Sequence, residues 1–530
     1  MMAASRERAL DALGAEVFDL LVIGGGSVGA GITLAAASQG LRVALIERGD
    51  FAGGTSSRST KLLHGGVRYL ERAFKHLDRA EYRLVTEALA ERGAVMAMAP
   101  FLCRRLALVT PTRSRGQHLY YRAGLGLYDV LSGSRSLGRT RALRPSQVGA
   151  LFPGMPREDL FGGVLYYDGQ FDDARLNVLA VLTAVRRGAV AANHVDVRAL
   201  RKERGRIVGV QAEDLLRGNA FTVRAARVIN ACGPFADAVR TLDDPAAEPL
   251  LRVSSGVHIV LRGGLCPPDT GILIPRTDDG RVIFILPWLG HTLVGTTDAP
   301  EAPSAHPPVR DSDVRYLLAY AGAHLGLPLG SEDVRSAWSG LRPLVGNPRA
   351  QTSAELVRDH AITESPSGLV TVVGGKWTTF RRIALDTLDH VRGGRPLPAI
   401  DWSILGTAGY SPQLAPTLVR EYGLKPDIAD HLAASYGARA GEVLALPGRQ
   451  RLHPGHPVIE AEVRWAVRAE MARTVMDVLA RRTRLAFCDR EAARACAARV
   501  GAIMGAELGW TDGTLQRELA AAVDEIDGAL

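Results

Sequence analysis

The stretch from Asp19 to Leu70, DLLVIGGGSVGAGITLAAASQGLRVALIERGDFAGGTSSRSTKLLHGGVRYL, restricts the fold more than any other part of the chain. An apolar, β-branched run ends at Ile23 and gives way to Gly24-x-Gly26-x-x-Gly29. A small-residue helix then extends to Gln39, and a second apolar run occupies Leu41 to Ile46. In this order of strand, turn, helix and strand, Gly24 permits the tight turn, Gly26 admits a pyrophosphate to the backbone, and Gly29 lets the helix pack closely on the strand. The helix N-terminus then faces the phosphates. Glu47, at the end of the second strand, is placed to accept hydrogen bonds from an adenosine ribose. A glycine-rich turn alone has many conformational causes; strand, helix and acid at these spacings together predict a dinucleotide-binding βαβ unit.

Leu20 to Leu41 carries no charged residue and has the length of a bilayer span. The run Gly24-Gly25-Gly26 near its start lowers helix propensity, and Asp19 and Arg42 sit where two soluble strands would begin. The transmembrane reading therefore fails. With 530 residues the chain has room for two or more domains. The first sixteen residues mix Arg6 and Arg8 with Glu7, Asp11 and Glu16 and lack an apolar core, so a secretory signal is not expected and an intracellular setting is. Five scattered cysteines (Cys103, Cys232, Cys266, Cys488, Cys496) show no paired metal spacing and fit reduced thiols, so no metal is expected. A net charge of +8 favours anionic partners such as anionic lipid surfaces or anionic substrates. The charge is spread along the chain without a basic, aromatic-interleaved stripe, which argues against nucleic-acid binding. There is no internal repeat and no calcium-loop pattern.

Thr55 to Tyr69, TSSRSTKLLHGGVRY, reads as a loop leading into a helix, whose hydroxyls and amides suit either a dinucleotide or an ordinary N-cap. Its position after the acidic residue favours the first, since flavoproteins often place such a loop beside the cofactor. Arg72 to Met98 is a predicted helix ended by Pro100. Gln117 to Leu131 crowds aromatic and aliphatic residues around Arg122, in keeping with either a membrane interface or packing on the main domain. A helix from Asp172 leads into three strand patterns, the last ending in Asn230-Ala231-Cys232-Gly233. Further strands, with a turn at Leu289-Gly290, predict an antiparallel sheet walling a substrate pocket, where His258, Arg342 and Arg358 are the candidate polar groups. Leu369 to Val373, Gly374-Gly375-Lys376 and the following helix repeat the strand, glycine, helix arrangement and offer a helix N-terminus and a cation to negative charge. After RGGRPLP, at Arg392 to Pro398, the remainder has helical spacing.

Taken in order, IGGGSVGAGI, TSSRSTKLLHGGVRYLE, RLVTEALAERG with MAPFL, FDDARL, NACGPFAD, PWLGHTLVGTTD, SGLRPLV, VRDHAI and GGKWTTFRRIA resemble the FAD-dependent, quinone-linked glycerol-3-phosphate dehydrogenases over nearly the whole chain. Two departures stand out: SSGVHIVL lacks the basic residue usual near Gly-x-His, and Trp377 replaces a commoner leucine. The resemblance implies an α/β fold with a Rossmann-like FAD-binding domain, an antiparallel-sheet substrate (cap) domain interleaved with it over 1–395, and an all-helical C-terminal domain over 396–530. It implies oxidation of sn-glycerol 3-phosphate to dihydroxyacetone phosphate with noncovalent FAD and a membrane quinone. The enzyme would be of bacterial type, cytoplasmic, and peripherally attached to the inner face of the cell membrane. A homodimer is among the assemblies open to it. The rival reading is an FAD-dependent amine, amino-acid or glycerol-3-phosphate oxidase using oxygen.

Cofactor contacts are then expected from Gly24, Gly26, Gly29, Glu47, Thr55, Ser56, Ser57, Lys61, Leu62, His64, Gly65, Gly66, Val197, Ala231, Gly233, Gly375, Lys376, Thr378 and Thr379. Phosphate recognition falls to Arg68, Arg342 and Arg358 with the hydroxyl of Tyr69, because a dianion calls for forked, charge-assisted donors. His258 or His64 is the expected base for the substrate hydroxyl if held neutral, with Arg342 beside it. Lys376 is expected at the substrate and at the reduced flavin ring.

Overall fold

A computed structural model describes residues 5–65, 79–346 and 360–528. Arg68, Tyr69, Gly66 and Arg358 lie outside the described residues.

Strand Val17–Ile23 forms from the first apolar run and helix Ser27–Ser38 from the small-residue segment. The strand lies in a parallel core ordered Leu369–Gly374, Asn219–Asn230, Val17–Ile23, Val43–Ile46, Val190–Ala192. His360–Glu364 adds an antiparallel edge. Asn219–Asn230 is long enough to do two jobs: its first half pairs antiparallel with Arg206–Asp214, and its second half runs parallel to Val17–Ile23. Helices Ser27–Ser38, Asp173–Arg186 and Phe380–Arg392 bury Ile32, Leu176, Leu179 and Ile383 against one face of this sheet. Asp172 caps the second of them, its side chain accepting the Arg175 N–H.

A second sheet, ten strands among the described residues and mostly antiparallel, matches the antiparallel sheet expected from the middle of the chain. Its backbone is Leu251–Leu261 paired with Val334–Val345 and with His291–Gly295, followed by Ile283–Trp288 and Thr270–Ile274. Leu289 and Gly290 both take left-handed dihedrals (φ 47° and 79°), the geometry that closes a two-residue hairpin.

Beyond Leu414 the chain is helical to Asp527. These helices are not detached from the rest. Met476, Val478 and Phe487 share one apolar core with Trp288 and Trp338 of the antiparallel sheet, and the Trp338 and Phe487 rings lie 5.0 Å apart. The segment read as a linker leads at once into Trp402 and Ile404, both buried against the helices of the parallel sheet. Among the described residues no helix is long and apolar enough to cross a membrane.

Candidate functional site

The first glycine turn has no room for side chains where the helix meets the strands. A Cβ on Gly29 would stand 1.9 Å from the Gly24 carbonyl oxygen, and one on Gly24 would stand 2.6 Å from that of Ala231. Gly24 also holds φ 107°, which excludes most L residues. Gly26 caps helix Ser27–Ser38 without a side chain, so the first turn presents its amides outward, apart from the Ser27 N–H given to Ser56 Oγ at 2.8 Å. Both Glu47 oxygens are held by backbone: Gly25 N–H donates at 2.6 Å and Gly49 N–H at 2.8 Å. Burial raises the Glu47 pKa above its ordinary 4.5, against the pull of those two donors. Each oxygen retains a lone pair for a ribose hydroxyl. The cradle, the open helix end and the acid fit the pyrophosphate and ribose of a dinucleotide.

Other expected cofactor positions gather around this turn. Ala231 ends strand Asn219–Asn230, and Gly233 follows with φ 54° and open space where a Cβ would be. Val195 N–H donates to the Glu47 carbonyl at 2.8 Å, which brings half-buried Val197 to the same side. Thr55–Ser57 forms one short helical turn, with Ser56 and Ser57 buried and Thr55 Oγ1 donating to the Leu341 carbonyl at 2.7 Å. Across from it, Gly375 holds φ 79°, and Lys376 opens the turn Trp377–Thr379 that leads into helix Phe380–Arg392. Thr378 is buried, while Thr379 Oγ1 closes the turn by donating to the Lys376 carbonyl at 3.1 Å. Trp377 Nε1 donates to the carbonyl of Ser56, whose Oγ accepts from Ser27, so the second glycine turn is linked to the first through Ser56. Leu62 is a buried strand residue, His64 is half-buried, and Gly65 N–H donates to Tyr128 Oη at 2.6 Å.

Lys61 departs from its expected role. Its side chain is fully buried, with Nζ 2.7 Å from both Asp173 Oδ2 and the Ser57 carbonyl, and it sits 5.3 Å from the Trp338 ring centroid. Burial pulls its pKa down to about 8. The ammonium braces the loop from within, because Asp173 at the start of helix Asp173–Arg186 attracts it more strongly than solvent can reach it. Arg342 also differs from the open fork expected of it. Its Nη1 donates to the Ser255 carbonyl and Asp298 Oδ1, and its Nη2 to Thr296 Oγ1 and the Thr297 carbonyl, all at 3.0–3.1 Å. The acid ending the VGTTD motif thus meets the charge of the arginine.

His258 lies on Leu251–Leu261, 3% exposed, stacked on Trp338 with ring centroids 5.5 Å apart and 15° between planes. Its Nε2 is 2.9 Å from Thr60 Oγ1 in the cofactor loop, and Nδ1 has no hydrogen-bond partner among the described residues. Burial, reinforced by the charges of Lys61 and Arg342, holds its pKa well below 6.5, so the imidazole is neutral. Gly295 makes room for it: a Cβ there would fall 2.2 Å from His258 Cδ2. Thr60, Asp173 and Asp298 were not singled out by sequence reading. All three lie inside motifs that were, and their signal was a polar residue beside a candidate base or cation.

Residues 19–381 match the family of FAD dependent oxidoreductases, and 400–515 match the C-terminal domain of alpha-glycerophosphate oxidase. A Caenorhabditis elegans protein described as a probable mitochondrial glycerol-3-phosphate dehydrogenase is 43% identical over 97% of this chain and 73% of its own length. The structure of a glycerol-3-phosphate dehydrogenase from Bacillus halodurans complexed with FAD superposes with a TM-score of 0.81 at 30% identity, covering 100% of this chain and 98% of that one. Glycine oxidase from Bacillus cereus, at 18% identity and a TM-score of 0.51 over 73% of this chain and 98% of its own, shares the fold alone.

Proposed function

The chain belongs to the FAD-dependent glycerol-3-phosphate dehydrogenase family, and from that premise we propose that it oxidises sn-glycerol 3-phosphate at C2 to dihydroxyacetone phosphate and delivers the electrons to a membrane quinone. FAD is its cofactor and supplies, when bound, the two-electron acceptor for the hydrogen leaving C2. The observation that carries the reading is the hydrogen bond between His258 Nε2 and Thr60 Oγ1, which seats a neutral imidazole of the substrate sheet beside the cofactor loop.

With Nε2–H donated to Thr60, His258 Nδ1 keeps the lone pair that takes the proton of the C2 hydroxyl as the carbonyl forms. Stacking on Trp338 fixes the ring plane, and burial excludes the water that would otherwise protonate it. His64 is the second histidine of the site and the alternative base. Arg342 contributes positive charge at the substrate wall, and a phosphate that displaces Asp298 would meet the Nη1 donor that Asp298 now holds. Arg358, Arg68 and Tyr69 complete the phosphate site in this reading. Gly24, Gly26 and Gly29 would hold the pyrophosphate of FAD, and Glu47 its ribose. Lys376, at the entrance to helix Phe380–Arg392, favours negative charge on the reduced ring.

Attachment to the anionic inner face of a cell membrane accompanies this function. Helix Arg115–Ser132 buries Leu125 and Tyr128 and exposes Leu119, Tyr120 and Val130, the last by 73%. Tyr128 of this helix is the residue that holds Gly65, so a lipid-facing helix would lie one hydrogen bond from the cofactor loop. Anaerobic addition of substrate tests the reaction: glycerol 3-phosphate is expected to bleach the yellow protein, whereas glycine, sarcosine and NADH leave it coloured. Bleaching by an amino acid alone would overturn the assignment. A ubiquinone analogue that restores the colour faster than oxygen identifies the acceptor class.

A further inference from the structure

The hairpin that ends at Leu289–Gly290 reaches the C-terminal helices at a place remote from the glycine turns in sequence. His291, His456 and Asp489 meet there, each offering one ligand atom, and all three atoms lie within 4.8 Å of one another. His456 Nε2 is 3.3 Å from Asp489 Oδ2. Ligands about 2.0–2.1 Å from a tetrahedral zinc ion stand about 3.3–3.4 Å from each other, so this pair already has the separation of two metal ligands. The His291 and His456 rings are parallel within 6° at 5.6 Å.

Two of the three groups are oriented by a second side-chain bond, as metal ligands are, and the third by its backbone. Leu289, in its left-handed conformation, turns its carbonyl to His291 Nδ1 at 3.0 Å, which places the ring proton on Nδ1 and leaves Nε2 bare. Asp489 Oδ1 accepts the Ala492 N–H as the cap of helix Arg490–Leu508, leaving Oδ2 for the cluster. The His456 backbone is pinned from both sides, its carbonyl accepting from Arg451 Nη1 at 2.8 Å and its N–H donating to His453. Among the described residues Asp489 pairs with no lysine or arginine; His456 is its ion-pair partner.

A second cluster, Asp50, His194 and Asp477, has similar composition and the opposite electrostatics. Arg481 and Arg482 already neutralise its carboxylates, and nothing is left for a cation to do.

We propose that His291, His456 and Asp489 bind a divalent transition-metal ion of the zinc type, clamping the substrate-sheet hairpin to the helical domain. Water completes the coordination, or His453, whose ring lies 5.5 Å from that of His456. Two imidazoles and one carboxylate form a donor set suited to zinc and poorly suited to calcium or magnesium. The site is independent of the redox reading, since none of its residues belongs to the cofactor or substrate machinery.

The test uses untagged, FAD-loaded protein dialysed against a chelator and titrated with zinc chloride by calorimetry. One equivalent per chain is expected, with affinity weakened at least about 100-fold in His291→Gln and Asp489→Asn. Asp489→Asn preserves the helix cap, because asparagine caps as well as aspartate, and so removes the anionic ligand from a folded chain. Flavin absorbance and circular dichroism report that the fold is intact. Cobalt(II) in place of zinc should add tetrahedral ligand-field bands beyond the flavin absorption in the wild type and in neither variant. A protein that takes up no stoichiometric zinc, or two variants that bind it as the wild type does, overturns the site.

Discussion

Trp377 donates its indole N–H to the Ser56 carbonyl at 2.9 Å, and its ring packs edge-on to Phe171 and Phe380 at 5.1 and 4.9 Å. The residue that departs from the family's commoner leucine is thus the one that ties the second glycine turn to the Thr55–Ser57 loop. Trp377→Phe keeps the packing and loses the bond, about 0.5–1.5 kcal/mol for a neutral hydrogen bond. If that energy steadies the FAD-binding conformation, the FAD dissociation constant rises about 2- to 10-fold by flavin fluorescence titration, with kcat on saturated enzyme little changed.

Lys61 and Asp173 form an ion pair with neither side chain exposed. Removing one partner strands the other, and such losses run to about 3–5 kcal/mol. Lys61→Met should lower stability by that order in urea denaturation. The double variant Lys61→Met, Asp173→Asn should recover part of it, because the carboxylate deprived of Lys61 is removed as well, while Arg484, which also pairs with Asp173, keeps Asp172 at 3.8 Å; a double variant weaker than the sum of the two singles would contradict the pairing.

His258 gives stability a dependence on pH whose sign follows from its depressed pKa. The unfolded chain protonates it near 6.5, while the folded chain resists protonation to well below that. Between those two values the unfolded state binds more protons, so this contribution to stability rises with pH across the window, is complete above about 6.5, and is lost on acidification. Urea denaturation at pH 5 and pH 7.5 should show a smaller difference for His258→Gln than for the wild type. The same variant should lose about 10²- to 10⁴-fold in kcat if the imidazole is the base.

Arg342 offers a comparison of substrates. Arg342→Lys retains a charge and loses the fork, and a lost forked contact to a partly buried anion costs about 2–4 kcal/mol, or about 30- to 1000-fold in kcat/KM. Measured on glycerol 3-phosphate and on glycerol, the variant should narrow the preference for the phosphorylated substrate. An equal loss on both would assign Arg342 to bracing the Thr296–Asp298 turn alone.

Where the determinants are local, the sequence was easy to read. Gly24, Gly26, Gly29 and Glu47 lie within one strand-helix-strand unit whose spacing has a single sensible geometry, and Leu289-Gly290 and Asp172 announce a turn and the start of a helix. Side-chain direction was harder. Lys61 sits among hydroxyl residues of the cofactor loop, and only the fold reveals that Asp173 and Ser57 draw its ammonium inward. Arg342 was legible as a cation of the substrate sheet, but its satisfaction by Asp298 depends on which strands pair. His291 and His456 come from separate domains, and no spacing rule connects them. Trp402 and Ile404, just past the stretch read as a linker, pack against the helices of the parallel sheet, a contact that two apolar residues in a polar stretch do not announce.

Asp50 follows directly on the first βαβ unit, 2% exposed, and its carboxylate is held by Arg481 and Arg482. Those partners lie 431 and 432 residues further along the chain. Without them, closing the nucleotide-binding region would bury an anion stripped of its cations, at a cost of several kcal/mol. The strand-helix-strand unit that carries the first glycine turn is therefore not self-sufficient: a fragment that stops before Arg481 is expected to leave this region open.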